Sequence, residues 1–252
     1  MDRHFQCTLC GRCCYGMLPL TVEEALERAG RVPLALVWMP VPKGARTFET
    51  VRRLGLEVSL GRHRTVAVLV SPMAYLPPAM PCPDLTADNR CAVHEVKPVR
   101  CRAMPFDPRR REDDQSDSLT PRPDWICDVS AAAPLVYEDG HILNRMAFDA
   151  EKAALQAQAP LLRAYAESRL RLSPNVLQDL KRVDPRRGVT GTLALSFTTL
   201  LPRLPDVDPT AFADAQAPVL EANLARTRST GPEGPFHRYY REVLETVRAD
   251  RR

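Results

Sequence analysis

From Ile142 onward the chain carries apolar residues at helical spacing, whereas before that point its apolar runs are short and broken by prolines. The stretch LNRMAFDAEKAALQAQAPLLRAYAESRLRL predicts helix, with Pro160 breaking or kinking it. Ser173 before Pro174, and Asp208 before Pro209, each set an N-cap residue ahead of proline at the first helical position and predict two more helices. A last amphipathic helix is predicted over Gly234 to Asp250, so the C-terminal half reads as a helical bundle. Nearer the start, Thr21 and Glu24 make a capping-box pattern that predicts a helix through about Ala29. The run PLALVWMPVP, Pro33 to Pro42, reads as a short edge strand or an extended loop, because proline cannot donate to a central ladder. HRTVAVLVSPMAY, His63 to Tyr75, is rich in β-branched residues and reads as a strand that Pro72 ends or pushes to an edge. In CPDLTADNRCAV, Asp88 and Asn89 tolerate the left-handed conformations of tight turns, which predicts a small hairpin with Cys82 and Cys91 on its arms. Residues 107 to 123, DPRRREDDQSDSLTPRP, mix both charges with prolines and read as a solvated loop or linker.

Length and composition set limits on what these elements can build. At 252 residues, 44% hydrophobic and 26% charged, the chain can bury a core in one or two domains without needing staples merely to fold. Twenty-four prolines against eleven glycines imply many fixed bends. The surplus of 35 basic over 31 acidic residues is too small to imply nucleic acid as a partner without a concentrated patch. The opening MDRHFQCTLC has neither the apolar stretch of a secretory signal nor an Arg/Ser-rich transit helix, which predicts a cytoplasmic location. No membrane span is expected, since the longest apolar runs, Val66 to Val70 and Leu193 to Leu201, fall far short of the roughly 20 residues required.

The cysteines change the picture most. In a reducing compartment eight of them are ligands or catalytic groups rather than four disulfides. All eight, Cys7, Cys10, Cys13, Cys14, Cys82, Cys91, Cys101 and Cys127, lie in about the first half of the chain, an asymmetry that suggests two regions. Cys7, Cys10 and Cys13 follow C-x-x-C-x-x-C spacing, which lets three thiolates converge from one short loop while backbone amides point toward the sulfurs. Gly11 gives that loop room to turn. Cys14 diverges from its neighbour, so it bridges two metals or belongs to a second one, and eight thiolates suit two four-ligand sites. Four thiols within eight residues make no apolar face, and crowded thiolates repel one another unless a cation or cluster neutralises them. Cys127, taken alone, also suits a small buried hydrophobe. Thiolates are soft donors that favour iron–sulfur clusters, zinc or cuprous ion, with iron–sulfur preferred here.

FQCTLCGRCC, then LTVEEALE, then CPDLTADNRCAVHEVKPVRCRAMPF resemble the YkgJ-type CxxCxxCC family of cysteine-cluster proteins. The resemblance covers roughly residues 5 to 130, apart from the stretch between Cys14 and Cys82, and rests on the spacing and order of Cys82, Pro83, Cys91, Glu95, Pro98, Cys101, Arg102, Pro105 and Phe106. Cys127 matches the family's late cysteine, with Asp128 and Val129 where proline and glycine are usual. His94 stands where the family has an aromatic residue, and Lys97 where it has arginine. The resemblance implies zinc or iron chelation, with an iron–sulfur cluster, of the 4Fe–4S kind among others, or zinc as cofactor. A related cluster in flagellin lysine methylases makes side-chain N-methylation a rival reading, by analogy.

Other residues carry weaker signals. His94 could ligate metal or donate to sulfur, and a hydrogen-bonded hairpin residue is the plainer reading. His4 could reach the cluster loop, while His63, His141 and His237 have no cysteine near them in sequence. Within the basic stretch Lys97, Arg100, Arg102, Arg109, Arg110 and Arg111, the residues Arg100 and Arg102 are expected to balance negative charge at the cofactor, and the rest to form a solvated face. Trp125 could shield a cluster from water, and Trp38 is expected to pack. Glu23 and Glu24 suit a first helical turn. No phosphate loop, catalytic triad, HExxH pair or radical-SAM spacing is present.

The expectation is an α+β protein, predominantly α-helical. A small cysteine-rich metal-binding module with a β-hairpin spans residues 1–130, and a helical region spans 131–252, whether or not the two pack as one unit. The metal organises the fold or transfers electrons, with a protein or redox partner. A zinc-stabilised interaction module and an iron–sulfur-dependent protein-modifying enzyme are the alternatives.

Overall fold

A computed structural model describes residues 2–62, 64–183, 191–228 and 234–249 of the chain, so His63 and the predicted final turn at Asp250 to Arg252 lie outside the described residues. The fold is α+β and about half helical, with two antiparallel sheets. The chain divides into two compact units, each built from two segments: Met1–Gly16 with Pro77–Gln156, and Met17–Leu76 with Ala157–Arg252. The boundary read near residue 130 cuts the chain once, whereas these units interleave.

In the second unit, α1 (Val22–Glu27) starts at the predicted capping box: the Thr21 hydroxyl accepts the Glu24 N–H, and the Glu24 carboxylate accepts the Thr21 N–H. Strand β3 (Leu34–Pro42) follows, then α2 (Phe48–Leu54), β4 (Leu56–Ser59) and β5 (Thr65–Ala74). A two-residue strand β2 (Leu18–Pro19) and the late strand β8 (Leu193–Ser196) complete a sheet in the order β2-β5-β3-β8, with β4 also on β5.

The prolines do not keep β3 at an edge, contrary to the sequence expectation. It lies between β5 and β8. β8 covers only Ala35 to Trp38, so among the described residues Pro40 and Pro42 fall where one side of β3 has no partner strand and a missing N–H costs no ladder bond. Pro72 likewise does not end β5. It falls between the stretches paired with β4 and with β2, where its carbonyl still accepts the Leu20 N–H at 3.0 Å.

Both faces of β3 are covered, which explains its unbroken apolar run. Leu34, Leu36 and Trp38 pack with Val66, Val68 and Val70, with Leu162, Tyr165 and Ala166 of α4 (Met146–Leu172), and with Val176 and Leu180 of α5 (Pro174–Arg182). Ala35 and Val37 face Ala213, Ala217 and Leu220 of α6 (Pro209–Thr227) and Tyr239, Tyr240 and Val243 of α7 (Pro235–Ala249). Buried Gln216 spans the polar gap, accepting the Leu34 N–H and donating to the Ala29 and Val32 carbonyls. Of the two proline-led helices, α6 has the expected cap, Asp208 accepting the Thr210 N–H at 2.9 Å, whereas Ser173 makes no side-chain cap bond to α5. Helix α4 continues through Pro160 for 27 residues. The C-terminal half is not purely helical, because Leu193–Ser196 returns to the sheet.

Gly55 joins α2 to β4 at a point where only glycine fits. A Cβ there would lie 1.9 Å from the Val68 carbonyl oxygen, and that atom belongs to a strand backbone that cannot yield locally. Gly55→Ala is therefore expected to destabilise the protein by about 1–3 kcal/mol or more, seen as a lowered thermal midpoint.

The first unit holds a smaller sheet, β1 (Arg3–His4), β6 (Leu135–Glu138) and β7 (His141–Ile142). Asp139 and Gly140, both at positive φ, form the tight turn between β6 and β7. Its apolar core is small: Phe106, Leu119, Tyr137, Ile142 and Phe148, flanked by Phe5 and Val136. Residues 107–123 are not a solvated linker. Gln115 is fully buried, accepting the Asp107 N–H and donating to the Asp107 and Arg111 carbonyls, and Leu119 joins the core. Arg110 pairs with both Asp114 and Asp117. Mixed charge here satisfies itself internally. Among the described residues, no helix is long and apolar enough to cross a membrane.

Candidate metal centre

All eight cysteines belong to the first unit, and all are free thiols. The loop carrying Cys7, Cys10, Cys13 and Cys14 is shaped by two residues in the left-handed region, Leu9 at φ 58° and Gly11 at φ 69°. Left-handed backbone is uncommon for a leucine, so tertiary contacts must hold it. Gly11 is required by space as well as by φ. A Cβ there would lie 3.0 Å from Leu85 Cδ1 and 3.1 Å from the Asn89 carbonyl oxygen, so the 82–91 segment packs directly against the loop.

Three further segments bring the remaining cysteines to this loop. At its front end, Gln6 and Asp128 exchange N–H to carbonyl bonds of 2.7 and 3.0 Å, and the Thr8 hydroxyl donates to the Ile126 carbonyl at 2.9 Å, which sets Cys127 beside Cys7 and Cys10. At its back end, the Cys82 N–H donates to the Cys14 carbonyl at 2.7 Å and the Gly16 N–H to Met80 at 3.0 Å. In place of the predicted hairpin a tight antiparallel turn forms beyond it, with Leu85 opposite Cys91, the Thr86 N–H on Arg90 and the Ala92 N–H on Asp84, so that Cys91 lies on it and Cys82 does not. Asn89, at φ 62°, takes the left-handed conformation the sequence suggests. Cys101 is carried by the short helix α3 (Val99–Ala103, preceding α4 in the chain).

The thiols act on one another's ionisation. Against the desolvation of partial burial, backbone N–H groups of Arg12 and Ile126 and the Thr8 hydroxyl hold Cys10 below the ordinary thiol range. A hydrogen bond from Cys14 lowers Cys13 to about 6, opposed by burial and assisted by the Lys97 ammonium. Cys14 is raised, first by giving that bond, then by desolvation and by the neighbouring Cys13, Cys82 and Cys101. Burial, with Cys82, Cys13 and Cys91 nearby, pushes Cys101 up to about 12, partly countered by Lys97. Cys127 is raised by burial and by Cys10, Cys7 and Cys13. A group of thiols that raise one another's proton affinity is a group a soft cation can displace protons from together. Among the described residues, no three His, Cys, Asp or Glu side chains converge closely enough on one point to hold a metal ion as they stand.

Arg100 is turned to the buried Glu151, 3.0 Å away, and to the Phe106 carbonyl. Arg102 donates to the Lys97 carbonyl at 3.0 Å. Lys97, another member of the basic stretch, is a cation that acts on both Cys13 and Cys101. His94 is exposed in a 3₁₀ turn, His94–Val96, and His4 Nδ1 lies 2.7 Å from the Ala133 carbonyl oxygen rather than on the loop. Arg122 stacks on the Trp125 ring at 5.2 Å, and Trp38 is buried in the sheet core of the second unit. His237 is buried with its Nδ1 3.0 Å from the Thr227 hydroxyl. No protein-family model matches the chain, and no curated protein or solved structure matches it.

Proposed function

We propose that this chain binds metal through its cysteines, as an iron–sulfur cluster or as zinc, in the manner of the YkgJ-type CxxCxxCC proteins its motifs resemble. The observation that carries this reading is that three backbone ties bring thiols separated by up to 120 residues of sequence around one strained loop, in a unit whose apolar core is small. Such an arrangement has no stabilising purpose of its own, since free thiols contribute little beyond their modest apolar area. It suits ligation, because thiolate donors at C-x-x-C spacing match the four-sulfur coordination of zinc and of iron–sulfur clusters. Cys7, Cys10, Cys13, Cys14, Cys82, Cys91, Cys101 and Cys127 would hold the metal, with Lys97 offsetting part of their negative charge. Bound there, the metal would fix the loop-rich unit or, as a cluster, pass single electrons to a redox partner.

Anaerobic purification followed by iron, zinc and acid-labile sulfide analysis, with visible and EPR spectra, tests the reading. Iron with sulfide identifies a cluster, and reversible bleaching under mild reductant adds electron transfer. Colourless zinc favours a structural role. Protein that contains neither metal while remaining folded removes the proposal.

A further inference from the structure

We infer that one end of the second unit's sheet is a cationic surface that binds the phosphate backbone of duplex nucleic acid without reading its bases. The inference stands apart from the metal-binding reading, since every residue it uses lies in the other unit.

The chain's small net charge conceals an uneven division. The two segments of the second unit carry twenty-three basic against sixteen acidic residues, and those of the first carry twelve against fifteen. Cations of the second unit gather where three elements meet. Strand β3 stops at Pro42, paired with Val66, so the turn bearing Lys43 and Arg46 leaves the sheet one strand spacing, about 4.8 Å, from the start of β5. On the other side of β5, Ser59 pairs with Thr65 and the Leu60 N–H donates to the Arg64 carbonyl at 2.8 Å, which places Arg62 in the adjoining turn. Arg64 then reaches from that turn to the end of α5, donating to the Lys181 carbonyl at 2.9 Å and the Val183 carbonyl at 2.8 Å, and so draws Lys181 and Arg182 to the same end. Lys43, Arg46, Arg62 and Arg182 are exposed, and Arg64 and Lys181 half-buried. The acids nearby are Asp179, 3.2 Å from Arg182, exposed Glu57 on β4, and Glu49, which Arg52 engages at 2.9 Å.

Part of this charge serves the fold. Arg64, Lys181 and Arg182 meet the negative end of α5, where cations satisfy the last carbonyls. Lys43 and Arg62 belong neither to α5 nor to its cap. Exposed turns on either side of β5 set them beside like charges, where self-repulsion costs stability. A row of phosphates relieves that repulsion, and a guanidinium fork suits phosphate oxygens. Two further features choose among anionic partners. Among the described residues of this unit, the exposed large apolar side chain is Leu172, at the opposite end of α5, so the surface has nothing to insert into a lipid bilayer. No exposed aromatic ring among them lies there to stack on bases, which fits the backbone of a duplex rather than a single strand.

Fluorescence anisotropy of a labelled DNA duplex of about 20 base pairs, titrated with the full chain at a series of salt concentrations, tests the inference. A Kd of about 1–100 μM is expected near physiological salt, with affinity falling steeply as salt rises. Lys43→Gln with Arg62→Gln should lower the slope of log affinity against log salt by about 2, one for each lost phosphate contact, and weaken binding about tenfold without lowering the thermal midpoint. Lys152→Gln with Arg111→Gln removes the same charge from the first unit and should leave affinity within about twofold. Absence of binding at about 50 mM salt overturns the inference, as does a Lys43 and Arg62 variant that binds with unchanged affinity and slope. An equal loss in the first-unit variant overturns it too, because net charge rather than this surface would then attract the duplex. Tighter binding to polyglutamate or to phosphatidylserine vesicles than to the duplex overturns it in favour of an acidic protein or a membrane.

Discussion

Stripping the metal from anaerobically purified protein with a chelator is expected to abolish amide-exchange protection across residues 1–16 and 77–156 while leaving it in residues 17–76 and 157–252. The two units differ sharply in what holds them. The second has a sheet covered on both faces, with Leu36, Trp38, Val68, Leu180, Leu200, Leu220 and Tyr240 all fully buried. The first has a small apolar cluster around Phe106, Leu119, Tyr137, Ile142 and Phe148, short strands and long connections. Ligation of a structural metal contributes on the order of 10 kcal/mol in small domains. That is comparable with the whole stability of an ordinary domain, about 5–15 kcal/mol, so a core this sparse should not survive its loss. Cys10→Ser should reproduce the effect in part, because Cys10 sits between the two left-handed residues that shape the loop. His237→Ala, remote in kind and buried between α6 and α7, should leave the metal content unchanged. Protection that persists throughout residues 77–156 after chelation would show that the thiols do not support the fold.

How much of this was legible in the sequence depended on whether a feature is local. The Thr21 and Glu24 capping box and the Asp208 cap could be read because their partners lie two or three residues away. Both strands, β3 and β5, lie where the sequence reading put them, and what failed was their placement in the sheet, which depends on distant partners. Proline in β3 and β5 argued against central positions, yet whether a proline costs a ladder bond depends on where β8, β4 and β2 end, and those strands come from elsewhere in the chain. Likewise, the charged composition of residues 107–123 indicated solvent, but composition cannot show that Gln115 supplies the hydrogen bonds of a missing strand or that Arg110 reaches two aspartates. Around the cysteines, spacing identified the loop and the turn that ends at Cys91. It could not show that Cys127 pairs with the front of the loop and Cys82 with the back, because both ties are backbone bonds between segments remote in sequence. Nor could it select Lys97 over Arg100, since the difference lies in Glu151, fifty-one residues beyond Arg100, drawing that arginine away.

Glu151→Ala is expected to destabilise the first unit by about 3–5 kcal/mol, the usual cost of leaving one member of a buried ion pair without its partner. The Arg100 and Glu151 side chains are only 12% and 6% exposed, so water cannot replace the lost carboxylate. The consequence should extend to the thiols. Cys101 follows Arg100 directly in α3, a helix of five residues that is too short to persist by its own hydrogen bonds. Arg100 holds it from outside, reaching Glu151 of α4 with one nitrogen and the Phe106 carbonyl with another. Releasing the arginine should therefore loosen Cys101 and speed metal loss to a chelator. The double substitution Arg100→Met with Glu151→Leu separates charge from position. It removes both charges while keeping bulk, so most of the stability should return, as it does when buried pairs are replaced by apolar side chains of similar volume. Denaturant unfolding of the metal-loaded variants under anaerobic conditions measures the first effect, and the rate of metal transfer to a coloured chelator measures the second. If Glu151→Ala unfolds at the same denaturant concentration as the unsubstituted chain and releases metal at the same rate, the pair neither stabilises the unit nor positions Cys101.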